Sequence, residues 1–177
     1  EHSQIVGLPE RVLELMAISA QNHLKRKETL NPKNGPWKLS LDIPTYTAFM
    51  TYAKNRDLRE MLYKAFVGRA SQGEENNNTI IKEIIKLRQE QSNILGYKSW
   101  ADLSLSNKMA NNIQNVEKLL EELRSPSYKT AIKELANLND FAHKNGLKVN
   151  EKIESWDINY YSELLRKEKL DLDQEAL

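Results

Sequence analysis

The sequence predicts a mainly α-helical fold, a multi-helix array with one short β-strand. Three observations carry that prediction. Apolar residues recur at i, i+3, i+4 and i+7 through most of the 177 residues. Prolines, glycines and Asn or Asp residues stand between those runs, where helices start and stop. Only one stretch alternates apolar with polar residues, as a half-buried strand does.

Pro9 and Glu10 open the first helix, and Val12, Leu13, Met16, Ala20 and Leu24 give it an apolar face before the charged run Lys25-Arg26-Lys27-Glu28. Residues 31–36 hold two prolines and a glycine, so they form a loop. Trp37-Lys38-Leu39-Ser40-Leu41 is the alternating stretch and the expected strand. Its partner is either Gln4-Ile5-Val6 or a strand from a part of the protein outside this chain. Pro44 restarts helix, with Tyr46, Phe49, Met50 and Ala53 on one side, and Asn55 caps the next. That next helix places Leu58, Met61, Leu62, Ala65, Phe66 and Arg69 on its inner face. Arg56 with Glu60, and Glu60 with Lys64, form i,i+4 pairs outside.

A polar connection at 73–78 leads to a helix capped by Asn77 or Asn78, running through Ile80, Ile81, Ile84, Ile85, Arg88 and Gln91 to a stop at Gly96. Shorter helices are expected from Ser99 to about Met109, and from Asn112 through Val116, Leu119, Leu120 and Leu123. Ser125-Pro126 reads as a cap followed by proline at the first helical position. It starts a long helix with Tyr128, Ala131, Ile132, Leu135, Leu138, Phe141 and Ala142 inward. Gly146 ends it, with His143 and Lys144 in the last turn, where positive charge is favoured. Asp157 then caps a helix from Asn159 to about Lys169, and residues 171–177 read as a helix start that stops. The polar connection suggests sub-units 1–75 and 76–177. No internal repeat of solenoid period is present.

The composition is that of a globular chain, 40% hydrophobic and 29% charged. With 26 basic and 25 acidic residues the net charge is +1, without the basic excess that phosphate backbones attract, so nucleic acid is not an expected partner. The sequence has no cysteine, which excludes disulfides and thiolate metal sites. No apolar run reaches the roughly 20 residues that cross a bilayer, so neither a membrane nor export is expected, and the cytoplasm is the default location.

The motifs that carry chemistry are missing. The histidines are His2, His23 and His143, and no two share the i,i+4 spacing of His-Glu-x-x-His, which puts two imidazoles on one helical face around zinc. The six glycines form no nucleophile elbow, Walker A loop or dinucleotide fingerprint. Glu74-Glu75 and Glu121-Glu122 read as solvated carboxylates rather than an acid–base pair. Trp156-Asp157-Ile158-Asn159-Tyr160-Tyr161 is the most distinctive cluster, with packing and capping as its first reading and an aromatic-lined peptide groove as its second. No residue is assigned as catalytic, metal-ligating or substrate-binding.

Read in order, several segments resemble the zinc oligopeptidase family of thimet oligopeptidase, oligopeptidase A and dipeptidyl carboxypeptidase. They are Gly7-Leu8-Pro9, then Leu39-Ser40-Leu41-Asp42-Ile43-Pro44-Thr45-Tyr46, then Asn55-Arg56-Asp57-Leu58-Arg59-Glu60-Met61-Leu62-Tyr63-Lys64-Ala65-Phe66 with Arg69-Ala70-Ser71. Asn78-Thr79-Ile80-Ile81, Leu87-Arg88-Gln89-Glu90, Leu95-Gly96-Tyr97, Lys108-Met109-Ala110, the Trp156 cluster and Asp171-Leu172-Asp173 continue it. The order and spacing across nearly the whole chain make the resemblance specific.

The resemblance implies a helical, two-lobed peptidase around a deep channel that admits short peptides. Its zinc is held by the two histidines of His-Glu-x-x-His and a later glutamate, while the motif's own glutamate activates the attacking water. Those residues would lie beyond Leu177. The chain is therefore expected to be a segment cut at both ends, supplying wall and scaffold, inactive and zinc-free alone. Its partners would be the remaining domains and, through them, short peptides. Self-association through exposed apolar faces is expected, and an organellar lumen is the alternative location if a transit peptide has been removed. The rival reading is a stand-alone helical module that binds a partner helix or peptide without catalysis.

Overall fold

Seven helices and no strand organise the described residues, 4–25 and 30–170, of the computed structural model. They are α1 (Glu10–Leu24), α2 (Ile43–Tyr52), α3 (Arg56–Val67), α4 (Asn78–Ile94), α5 (Trp100–Leu105), α6 (Ile113–Lys144) and α7 (Ile158–Leu170). The helix start read at 171–177 and the end of the charged run after Lys25 lie outside the described residues. Contacts divide the chain into two units. Unit 1 draws on Glu1–Val67 and Ala136–Leu177, and unit 2 on Gly68–Leu135.

Unit 1 is built around α2. Ahead of α1 the chain turns at Gly7, where φ is +95° and an added Cβ would lie 2.5 Å from the Tyr52 carbonyl oxygen. Only glycine tolerates both. The turn is tied to the end of α2 by the Lys54 N–H, which donates to the Val6 carbonyl at 3.0 Å. α1 buries Val12, Met16, Ala17 and Ala20. The Asp42 carboxylate accepts the Thr45 N–H at 3.0 Å and the Ser40 hydroxyl, so α2 starts on an N-cap bond. Those two hydrogen bonds hold the Asp42 carboxyl below the usual carboxylate range. α2 buries Phe49 and Met50, which with Ala53 and Leu62 form one apolar cluster. The rings of Tyr46 and Phe66 stack beside it at 3.9 Å.

The expected strand at Trp37–Leu41 is not one. Its residues are extended but form no ladder, and Gln4-Ile5-Val6 is a turn rather than a partner. Two facts explain the alternation. Leu39 and Leu41 pack on the Phe49 cluster, and the Lys38 N–H donates to the Met16 carbonyl of α1 at 3.0 Å. An extended segment lying across helices produces the same period of two as a strand in a sheet.

A second cluster joins the end of α6 to α7 through Leu138, Phe141, Ala142, Leu147 and Tyr161. α6 itself corrects the sequence reading. The helices expected at 112–123 and from Pro126 onward are one helix of 32 residues with Pro126 inside it. Proline deletes one N–H, but its fixed φ is helical, and the helix runs through it from Glu121-Glu122-Leu123-Arg124 on the N-terminal side. In unit 2, α5 is shorter than expected and begins on the Ser99 hydroxyl, which accepts the Asp102 N–H at 3.1 Å. Among its described residues unit 2 buries only Ser92.

Candidate functional site

The polar centre of unit 1 lies where α3 meets the segment before α7. Asn55 sets the start of α3 by accepting the Leu58 N–H at 3.0 Å. Arg56 and Arg59 then fall one turn apart, near one face. Opposite them stands Asp157, whose side chain is fully buried. Its two oxygens accept Arg56 Nε at 3.1 Å each, Arg56 Nη2 at 2.8 Å, Arg59 Nη2 at 2.9 Å and the Glu154 N–H at 3.1 Å.

The arginines are equally committed. Arg56 Nη1 donates to Glu151 at 3.0 Å and its Nη2 also reaches the Lys152 carbonyl at 3.2 Å. Arg59, itself buried, donates from Nε to the Trp156 carbonyl at 3.0 Å and from Nη1 to the carbonyls of Ala53 at 2.7 Å and Lys54 at 3.3 Å. Its guanidinium lies 4.2 Å above the Tyr160 ring. Two positive and two negative groups cancel, and all three nitrogens of each guanidinium have protein acceptors, which is the condition under which a buried ion pair is tolerated.

Electrostatics follow the geometry. Burial pushes the Asp157 carboxyl up, but the hydrogen bonds from Arg56 and Arg59 and the Glu154 N–H outweigh it and leave it below its usual range. The bond to Asp157 raises Arg56. Burial raises the Tyr161 phenol, and the Asp157 charge adds to it. Held from both sides by these bonds, the cluster is a clamp: it fastens α3 to the loop that launches α7.

The sequence reading had Asp157 as a helix cap and Arg56 as the partner of Glu60. Glu60 does pair with Lys64, at 2.5 Å, while Arg56 turns inward to Asp157. The Asp157 carbonyl accepts the first α7 bond, from the Tyr161 N–H at 3.0 Å, and its carboxylate serves the clamp. Trp156 packs on the Phe49 cluster with Tyr63 5.9 Å away and the Lys64 ammonium 5.6 Å from its ring, the arrangement of a packing residue. Its buried Nε1 has no hydrogen-bond acceptor among the described residues.

The two described histidines have separate partners. His23 Nδ1 lies 2.9 Å from Lys38 Nζ and His143 Nδ1 3.3 Å from the Leu147 carbonyl, while His2 lies outside the described residues. Among the described residues no group of three or more His, Asp or Glu side chains could hold a metal ion. Glu121 pairs with Arg124 at 2.7 Å on an exposed face, and Glu74 and Glu75 are exposed. A polar cleft of about 260 Å³ beside the clamp is lined by Lys54, Arg56, Glu151 and Tyr160, and an apolar one of about 550 Å³ by Met16, Trp37, Leu39 and Phe49. No helix among the described residues is long and apolar enough to cross a membrane.

The ionic clamp of unit 1 joins α3 to the segment before α7. Residues 49–177, most of the chain, match the model of peptidase family M3, and the chain belongs to that family. Within it the chain is similar to oligopeptidase A. It is 40% identical over 177 residues to the probable cytosolic oligopeptidase A of Arabidopsis thaliana, covering 100% of this chain and 25% of that protein. The organellar oligopeptidase A, chloroplastic/mitochondrial, of the same plant is 40% identical over 177 residues, with 100% of this chain and 22% of that protein covered. Oligopeptidase A of Escherichia coli is 36% identical over 182 residues, with 100% and 25% covered. The chain thus spans about a quarter of the length of these curated relatives.

Proposed function

We propose that this chain is the scaffold and channel-wall segment of a zinc-dependent oligopeptidase that hydrolyses short peptides. The observation that carries the reading is the end-to-end similarity, at 36–40% identity, to proteins named oligopeptidase A from a plant and a bacterium. The zinc ligands and the water-activating glutamate belong to the polypeptide outside this segment. The donor set of the described residues does not fit zinc, so no catalytic step is assigned here. The part played by this chain's own residues is mechanical. The Arg56–Arg59–Asp157 clamp fixes α7 against α3 and keeps the wall rigid while substrate passes.

The cytoplasm is the proposed compartment, or an organellar lumen after removal of a transit peptide. The names of the two plant relatives span both. The test is to read the encoding gene past the codon for Leu177. A continuous frame with His-Glu-x-x-His and a later glutamate is expected, and a stop codon there would overturn the reading. For the isolated chain, washed with chelator, metal analysis should find far less than one zinc per molecule and no peptide cleavage, and stoichiometric zinc would contradict it. The rival, a stand-alone interaction module, draws its support from the exposed apolar residues of unit 2.

A further inference from the structure

Unit 2 carries two apolar stripes that nothing within it covers. On α4, Ile80, Ile84 and Ile85 recur at helical spacing and are 42–63% exposed, while the far side of the helix carries the Lys86–Glu90 pair. On the first part of α6, Leu119, Leu120 and Leu123 repeat the pattern at 57–60% exposed, with Lys118 and Glu122 paired on its polar side. Both apolar clusters of the protein lie in unit 1, and no apolar side chain of unit 2 is buried among the described residues. Helices of this length gain their stability in water by burying an amphipathic face, and stripes this apolar mark contact surfaces.

We propose that these faces of α4 and α6 are docking surfaces for the remaining polypeptide of the M3 peptidase, which presents apolar helical or loop surfaces to them. The inference rests on the proposed function, because it needs a longer protein. Two facts select this occupant. The relatives match this chain end to end, yet three quarters of their length, 100% less the 25% covered, lies outside the match. The charges flanking the α4 stripe alternate in sign, with Lys82, Glu83, Lys86 and Glu90, so no field favours a nucleic acid, an anionic membrane or a strongly charged protein.

The absence of cysteine provides a direct test. Single cysteines are placed at Ile84 and Leu120, and at Lys86 as the polar-face control. Their maleimide labelling rates are measured in the 177-residue chain, and again after this chain replaces the matched quarter of a bacterial oligopeptidase A. In the isolated chain at low protein concentration I84C and L120C should label as fast as K86C. In the chimaera they should slow at least tenfold while K86C does not change. Protection in the isolated chain at low concentration would assign the faces to the chain's own residues, and protection in the chimaera that disappears on dilution would assign them to a second copy. Either overturns the proposal. A chimaera that cleaves peptides while I84C and L120C still label fast would overturn the docking surfaces and leave the proposed function standing. Protection in a folded chimaera that cleaves nothing would support the docking and sink the functional reading.

Discussion

Unit 1 and unit 2 have the same sequence grammar and different interiors. α3 and α4 are both amphipathic and of ordinary composition; Asn55 caps α3 through its side chain, whereas α4 starts at Asn78 with Asn77 making no side-chain cap bond, contrary to the expected cap. Yet α3 buries Leu62 beside Phe49 and Met50, whereas the isoleucines of α4 stay half-exposed. Amphipathic periodicity makes a helix that wants a partner, and it does not say whether the same unit supplies one. Unit 1 has facing stripes from α1, α2, α6 and α7, and adds an ionic clamp. Unit 2 has neither.

The comparison breaks most severely at the clamp. Replacing Asp157 with Ala leaves the buried Arg59 guanidinium without its anion and the partly exposed Arg56 with Glu151 alone, and Arg59→Ala leaves the buried carboxylate short of a donor. Each should cost unit 1 about 3–5 kcal/mol, measured by urea unfolding followed through the Trp156 fluorescence. A core substitution sharpens the contrast between units. Phe49→Ala should cost about 3–5 kcal/mol, while Ile84→Ala in the isolated chain should stay within about 0.5 kcal/mol. Equal losses would mean that unit 2 has an interior after all. Gly7→Ala follows, at about 1–3 kcal/mol, because its Cβ would run into the Tyr52 carbonyl at a positive φ; the amide exchange rate of Lys54 should rise with it.

The pH response separates the units last. Asp157 has a folded pKa below its ordinary 3.8, so its contribution is present above that value and drains away as pH falls through the depressed one. Tyr161 is raised above 10.0, so its contribution holds below that value and is lost as pH climbs through the raised one. Unit 1 should therefore loosen at both extremes, seen as loss of near-ultraviolet signal. The lowered Glu121 of unit 2 belongs to an exposed pair with Arg124, and salt should erase its effect.

The helices were legible because period and caps are local. Asn55 and Ser99 act where the sequence puts them. The strand at 37–41 was misread because alternation reports one buried side, and a surface of helices serves as well as a sheet. Pro126 was misread as a start because its φ fits both the first turn and the interior of a helix. The clamp was the main omission. Arg56 and Asp157 stand 101 positions apart, and no local period encodes such a pair. One signal was present: Arg59 shares the stripe of Leu62 and Phe66 at i+3 and i+7, an unusual place for a cation unless an anion waits there. The apolar faces of α4 and α6 were visible as periodicity, and exposure of such faces was expected of a segment, but the sequence did not single out these two helices.

That separation of 101 residues also sets an order of events during synthesis. Unit 2 is inserted between the two halves of unit 1, so α1 to α3 leave the ribosome long before Asp157 does. At roughly 5–20 residues per second, Arg59 waits several seconds for its counter-ion. Until then the first half of unit 1 carries Arg59 without the carboxylate it pairs with in the folded unit.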